Sequence, residues 1–195
     1  MPPATSSAFS QAITDFDLMR LRKADPSAQT QVFRQFEKPV YTLSFRVLGS
    51  ASAALDAMQD SFVQAFTRIG EFKSNAPFGF WLRSITLHRC LRELRDRKQH
   101  LDEQSALSEL EDQSAHIALI TDRIDLERAL AQLTDRARAV LWLYHVEGYQ
   151  HAEIAELFGQ SLSFSKSQLA RALAQMRQLL NPGTQAKSPT LAAAQ

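Results

Sequence analysis

The chain is predicted to be all-α, with two helical domains joined by an acidic linker. Three observations predict this. Apolar residues recur at helical spacing along most of the 195 positions. Glycine occurs only six times, and the alternating β-branched pattern of strands is absent. The net charge of +1 conceals blocks of opposite sign. Composition also narrows the function classes. The single cysteine, Cys90, allows no internal disulfide and fits a reducing compartment. The five histidines show no metal-ligand spacing with Cys90 or with each other, so no metal and no cofactor are expected. The N-terminal MPPATSSAFSQ lacks the basic and apolar regions of a secretion signal. No apolar run approaches the roughly 20 residues that span a bilayer. A soluble cytoplasmic protein without membrane insertion is the expectation.

Residues 1–14, rich in Pro, Ser and Ala, read as a mobile tail. The first helical domain is placed at 15–98. A helix over Phe16–Arg22 is interrupted at Ala24-Asp25-Pro26-Ser27. From Ala28 to Leu48, Val32, Phe33, Phe36, Val40, Leu43 and Val47 keep helical spacing. Pro39 inside this run predicts a kink or a division, and Gly49 closes it. The next helix runs from about Ser52 to Gly70, with Leu55, Met58, Phe62, Phe66 and Ile69 as its buried stripe. Asp56, Gln59, Asp60 and Val63 share another face at i, i+3 and i+4 spacing. That face is either ordinary solvated surface or a mixed patch for a partner.

Lys73 to Gly79 form a polar loop that ends in aromatics, and Phe80-Trp81-Leu82 open a helix reaching about Gln99. Trp81 or Leu82, Ile85, Leu91 and Leu94 face inward, with Trp81 read as core rather than as a stacking platform. Outside lie Arg83, Arg89, Arg92, Arg95, Arg97 and Lys98, against Glu93 and Asp96. Cations attract phosphates by releasing counterions, and a loop beside aromatics can hold an unstacked base.

From 99 to 122 the sign reverses. Asp102, Glu103, Glu109, Glu111, Asp112 and Asp122 occur with no Lys or Arg, which reads as an acidic linker. The second domain is placed at 123–181. Leu126, Ala129, Leu130 and Leu133 begin a core stripe, and Val140, Leu141 and Tyr144 continue it behind Thr134 as N-cap. Glu147 to Ala172 then reads as helix, turn, helix. Ile154, Leu157 and Phe158 make the first stripe, Gly159 ends it, and Leu162 is expected to plug the gap between the helices. Ser161, Ser163 and Ser165 are candidate N-caps of the second helix, and Ser165 to Gln168 match a capping box. Leu169, Leu173, Met176 and Leu180 face inward, opposite Phe164, Ser167 and Arg171 flanked by Lys166 and Gln168. A helix docked by its back with such residues outward is suited to a DNA major groove. Residues 182–195 read as a second mobile tail.

Three stretches carry a resemblance to a known family. Asp56 to Phe66, DAMQDSFVQAF, is similar to a D-L-V-Q-E-x-F-x-x-A-W run. Phe78-Gly79-Phe80-Trp81-Leu82 with Ile85 is similar to F-x-x-W-L-x-x-I. The third is Leu133 to Arg138, then Glu147-Gly148, Glu153-Ile154-Ala155, Gly159, Lys166-Ser167, Leu169 and Arg171-Ala172. Over residues 16–180 the chain resembles the extracytoplasmic-function (ECF) class of bacterial sigma factors.

The resemblance implies a non-enzymatic initiation factor that binds core RNA polymerase and promoter DNA. Asp56, Gln59, Asp60 and Val63 would dock on the coiled coil of the polymerase's clamp subunit. The loop from Lys73 to Phe80, with Lys73, Ser74, Asn75 and Phe80 as named contacts, would capture a flipped base of the −10 element. Arg83, Thr86, His88, Arg89 and Arg92 would hold that strand. Ser163, Phe164, Lys166, Ser167, Gln168 and Arg171 would read the −35 element, and the acidic linker would lie in the RNA channel. An anti-sigma factor or other regulator is a further implied partner. Leu55 stands where the family often has Glu, which weakens the acidic face. A second signal such as phosphorylation at Ser50, Ser52 or Ser61 is therefore entertained. The alternative is a helix-turn-helix regulator that binds duplex DNA without polymerase. A pure protein adaptor would leave the basic helix idle. An enzyme lacks support, because there is no Gly-rich phosphate loop or nucleophile elbow.

Overall fold

Capping residues and buried stripes define each helix of the computed structural model, which describes residues 6–104 and 121–180. A four-residue helix α1 (Ser6–Phe9) precedes α2 (Asp15–Arg22), whose N-cap Thr14 accepts a hydrogen bond from the Asp17 N–H. Asp25 caps α3 (Pro26–Leu48) by accepting from the Ser27 and Ala28 N–H groups, with Pro26 preorganised at the first helical position. Pro39 does not divide α3. A proline removes one intrahelical bond, but Val32, Phe36, Val40, Leu43 and Val47 form one buried stripe on both sides of it. Tertiary packing of that stripe holds the helix together.

Helix α4 (Ala51–Thr67) starts at the N-cap Ser50. Its buried face is Ala54, Ala57, Met58, Ser61, Phe62 and Ala65. Leu55, expected in that stripe, is instead 45% exposed. The small residues Ala54 and Ala57 bring the backbone close to its neighbours, which turns the adjacent position 55 outward. Phe62 links the helix to α3 through Phe33, with ring centroids 4.8 Å apart. A 3₁₀ turn at Ile69–Glu71 follows, then the loop to α5 (Phe78–Gln104). Helix α5 starts two residues before Phe80 and runs past Gln99, so the stretch read as a linker begins as helix. Its inner side buries Phe78, Leu82, Ile85, Leu87, Cys90, Leu91 and Leu94 against α3 and α4.

The stretch read as a mobile N-terminal tail contains α1, and Phe9 is only 3% exposed. Its carbonyl and the Phe36 ring crowd the place where a side chain at position 79 would stand, so Gly79 is required there. Most of the expected linker, with Glu109, Glu111 and Asp112, and the tail 182–195 lie outside the described residues.

The second group comprises α6 (Thr121–Ala131), α7 (Asp135–His145), α8 (His151–Phe158) and α9 (Leu162–Leu180). Thr134 caps α7, as its spacing predicts. Ala129, Leu130, Leu133, Ala137, Ala172 and Met176 make a small core, whereas Leu126 is 43% exposed. A larger core does not stop at the domain boundary. Ala139, Val140, Leu143, Ile154, Phe158 and Leu169 belong to the same apolar cluster as the first helical group, with α3 packed on α7 and α5 touching α8.

Between α8 and α9, Gly159 adopts a left-handed φ of 60°. The Ser161 hydroxyl accepts from the Phe164 N–H at the start of α9. Ser165 does not form the expected cap: it is fully buried and bonded to His151 Nδ1 at 3.0 Å. Leu162, expected to plug the corner, is 46% exposed. Phe164 fills it instead, 5.5 Å from the Phe158 ring and under the Arg136 guanidinium. An aromatic ring covers more apolar surface there than leucine does.

Candidate nucleic-acid interface

The loop before α5 and the head of α5 enclose an open cavity of about 330 Å³, lined by Glu71, Phe72, Lys73, Asn75, Ala76, Phe80 and Trp81. Tilted and edge-to-face aromatic contacts build it: Phe72, Phe78 and Trp81 form a triangle with centroids 5.4–5.7 Å apart. Phe72 and Phe78 are the buried vertices, while Trp81 is half-buried and contributes to the wall. Trp81 is therefore core and lining at once. Lys73, Ser74 and Asn75 are exposed on the rim, and Ser74 has a left-handed φ of 55°. Phe80 is half-buried in the lining.

Along α5 the candidate strand-holding residues separate. His88 is exposed, its Nδ1–H donating to the Ser84 carbonyl at 2.7 Å, which leaves Nε2 outward. Arg92 is the most open, with its side chain 74% exposed and Asp96 at 3.8 Å. Arg89 donates to Asp60 at 2.7 Å and to Glu93 at 3.1 Å. The hydrogen bond to Asp60 is the main reason its guanidinium holds its proton more tightly than an ordinary arginine. Thr86 cannot serve as a surface contact. It is fully buried and its hydroxyl donates to the Leu82 carbonyl, the back-bond that threonine makes inside helices. Cys90 sits beneath this face, and burial pushes its thiol up to about 11.

On α4, Asp56, Gln59, Asp60 and Val63 are all exposed, Val63 at 65%, and the outward Leu55 joins them. The patch is apolar at Leu55 and Val63 and acidic at its centre. Of the nearby serines, Ser61 is fully buried with its hydroxyl on the Ala57 carbonyl, so it is inaccessible to modification. Ser50 is occupied as the α4 cap, and Ser52 is exposed.

On α9, Ser163, Lys166, Ser167 and Arg171 are exposed, Gln168 is half-buried, and Phe164 is turned into the α8–α9 corner. Leu169, Ala172 and Met176 anchor the back of the helix. This is a preformed polar and cationic face of the kind a major groove accepts.

One contact lies outside what residue spacing predicts. Glu147, between α7 and α8, has a side chain only 2% exposed. It accepts from Arg83 Nε at 2.6 Å and from Trp142 Nε1 at 3.1 Å, while Arg83 Nη2 donates to its backbone carbonyl at 2.9 Å. The Arg83 guanidinium also lies 5.1 Å from the Tyr149 ring centroid. Among the described residues no group of three or more His, Cys, Asp or Glu side chains converges as a metal site. No helix among them is long and apolar enough to cross a membrane.

Comparison with known proteins agrees with this layout. The family pattern for Sigma-70 region 2 matches residues 32–100, and that for Sigma-70, region 4 matches residues 123–176. The ECF RNA polymerase sigma factor SigM of Mycobacterium tuberculosis (strain Erdman) is 30% identical over 156 residues, covering 80% of this chain and 79% of SigM. SigW of Bacillus subtilis is 20% identical over 176 residues, covering 84% of this chain and 94% of SigW. The fold is similar to that of the sigma factor RpoE of Bartonella quintana, solved in complex with the anti-sigma factor NepR. The TM-score is 0.57 at 20% identity, over 78% of this chain and 96% of that one. Both sigma regions in order, with a relative at this identity and coverage, settle the assignment: the chain belongs to the ECF RNA polymerase sigma factors, alternative sigma factors that direct RNA polymerase to promoters.

Proposed function

We propose the following division of labour. The α4 patch of Asp56, Gln59, Asp60 and Val63, extended by Leu55, binds the clamp of core RNA polymerase. The cavity between Lys73 and Trp81 receives an unstacked −10 base, and His88, Arg89 and Arg92 hold the strand, with Arg83 available once Glu147 releases it. Ser163, Lys166, Ser167, Gln168 and Arg171 face the −35 major groove, while Phe164 fixes the angle of α9 rather than touching a base. The chain performs no catalysis. It supplies binding energy that favours a locally melted duplex, and the polymerase does the chemistry in the cytoplasm. An anti-sigma factor is a natural regulator, as for the similar Bartonella protein.

The observation that carries this reading is the open aromatic-walled cavity at the head of a basic helix. Duplex readers have no use for a pocket sized for a base, whereas single-strand capture depends on one. In vitro transcription with core polymerase on a genomic promoter library tests it. Start sites sharing −35 and −10 elements are expected. Specific duplex binding by the chain alone, with no transcription in the presence of core enzyme, would make it a lone helix-turn-helix regulator.

A further inference from the structure

We propose that His151 and Ser165 form a register pin for α9: their hydrogen bond fixes how far the helix is turned and slid, and so which side chains meet the −35 element. This rests on the reading of α9 as the −35 face and names what sets its selectivity. Both are positioning residues, acting through α9 rather than by touching DNA.

The pin is a polar exception on an apolar seam. Ser165, Leu169, Ala172 and Met176 follow at spacings of four, three and four and make up the buried side of α9. At position 165 that side carries a hydroxyl with no exposure to solvent. Ser165 Oγ shares a hydrogen bond of 3.0 Å with His151 Nδ1. His151 opens α8, where Glu153 Oε2 accepts from the Gln150 N–H at 2.6 Å and fixes the start of the helix. The imidazole also stacks on Tyr144 of α7, with centroids 4.5 Å apart and planes 21° from parallel. One ring thus ties α9 to both α7 and α8.

The rest of the corner defines the register loosely. Residues 159–163 are exposed, so the turn itself packs on nothing. Phe164 wedges against Phe158 and sets the angle of α9, but apolar contact is non-directional and tolerates sliding. A slip of one residue turns a helix by about 100° and shifts it by about 1.5 Å. That would carry Ser165 off His151 and swing Lys166, Ser167 and Arg171 out of the exposed face. A neutral buried hydrogen bond adds little net stability, whereas a buried polar group stripped of its partner is costly. The pair therefore does less to hold the fold than to penalise each packing that separates it, as one buried polar residue does in a coiled-coil seam.

The test uses the full chain in holoenzyme, on a promoter that the wild type opens and on single-base variants of its −35 element. H151F keeps a ring for Tyr144 but strands the Ser165 hydroxyl, and S165A removes that hydroxyl. H151F/S165A removes both polar partners. H151N keeps a polar atom as far along the side chain as Nδ1. Each −35 base change is expected to cost the wild type about tenfold in transcription. In S165A and in H151F/S165A that ratio should fall to about threefold, because a loosened α9 no longer presents one face. Replacing both partners by apolar groups should leave Tm within about 2 °C of wild type, whereas H151F alone should lower it by about 4 °C. H151N should recover most of the wild-type ratio, and core-polymerase affinity should not change. A double variant that keeps both its Tm and the tenfold ratio overturns the pin. So does full discrimination by S165A beside its loss in H151F, which would make His151 a direct DNA contact. Should the double variant fail to fold, H151N and S165A decide: discrimination kept in the first and lost in the second supports the pin, and discrimination kept in both overturns it. A wild-type holoenzyme indifferent to −35 bases would instead sink the reading of α9 itself, so the two failures are distinct.

Discussion

Helices α5 and α9, the two proposed to face DNA, both carry cations, but they hold them differently. On α5, Arg83 is bound to Glu147, Arg89 to Asp60 and Glu93, and Arg97 to Glu93 with Asp135 nearby. On α9, Lys166 and Arg171 are exposed with no ion-pair partner among the described residues. A free cation gains the whole counterion-release benefit when it meets a phosphate. A paired one must first surrender a carboxylate, so its net gain is smaller and depends on what becomes of the acid. On the proposed reading, the face offered to the −35 element is thus ready-made, while several cations of the face offered to the −10 element are held by acids. That arrangement suits a factor whose strand-gripping face is wanted only on polymerase.

The sharpest way to break this contrast is at α9. Replacing Lys166 and Arg171 together by Ala should cost promoters that depend on the −35 element about 100-fold in transcription, since each such contact is worth about 1–3 kcal/mol. Core-polymerase affinity, measured by fluorescence, should not change. On α5, Arg92→Ala should weaken single-strand binding by holoenzyme about three- to tenfold and lower the salt slope by about 1, because Arg92 is an open cation held only loosely, 3.8 Å from Asp96. A loss larger than that of the α9 double variant would invert the comparison. Asp60→Asn should act in opposite directions: core affinity falls about threefold, and strand binding by the free chain rises about twofold as Arg89 is released. Both can be read from one titration series. The smallest effect is expected from Thr86→Val, within about twofold in DNA binding, because a neutral helix back-bond contributes little net energy. A tenfold loss there would mean that the hydroxyl turns outward on DNA.

Much of this arrangement could be read from residue order, because helices are local. The stripe from Val32 to Val47, the cap Thr134, the break at Gly159 and the exposed Lys166, Ser167 and Arg171 follow from local residue types and spacing of three and four. The misreadings share a cause. Helical spacing places Leu55 inward, and the family motif places Thr86 outward; the structure reverses both. Their burial depends on how closely a neighbouring helix approaches. Phe164 and Leu162 exchanged roles because one residue of phase at the α9 start decides which side chain enters the corner. Glu147 stands in the Glu147-Gly148 pair of the family resemblance, but nothing local names its partner. Its partner lies 64 positions away, and only the packing of α5 against α8 brings them together. The one available hint was an acid beside Trp142 and Tyr149 in an otherwise apolar stretch.

The seat of α1 against Gly79 bears on how such factors can be recombined. The region 2 pattern begins at residue 32, and a chimera cut there would look complete on paper. It would leave behind Phe9, whose carbonyl lies over Gly79 and whose side chain is buried in the same apolar core as Phe36 and Phe78. The graft would leave that hollow at the head of α5, next to the loop proposed to capture a base. Promoter swaps between sigma factors of this kind should therefore carry the leading segment along with the domain it supports.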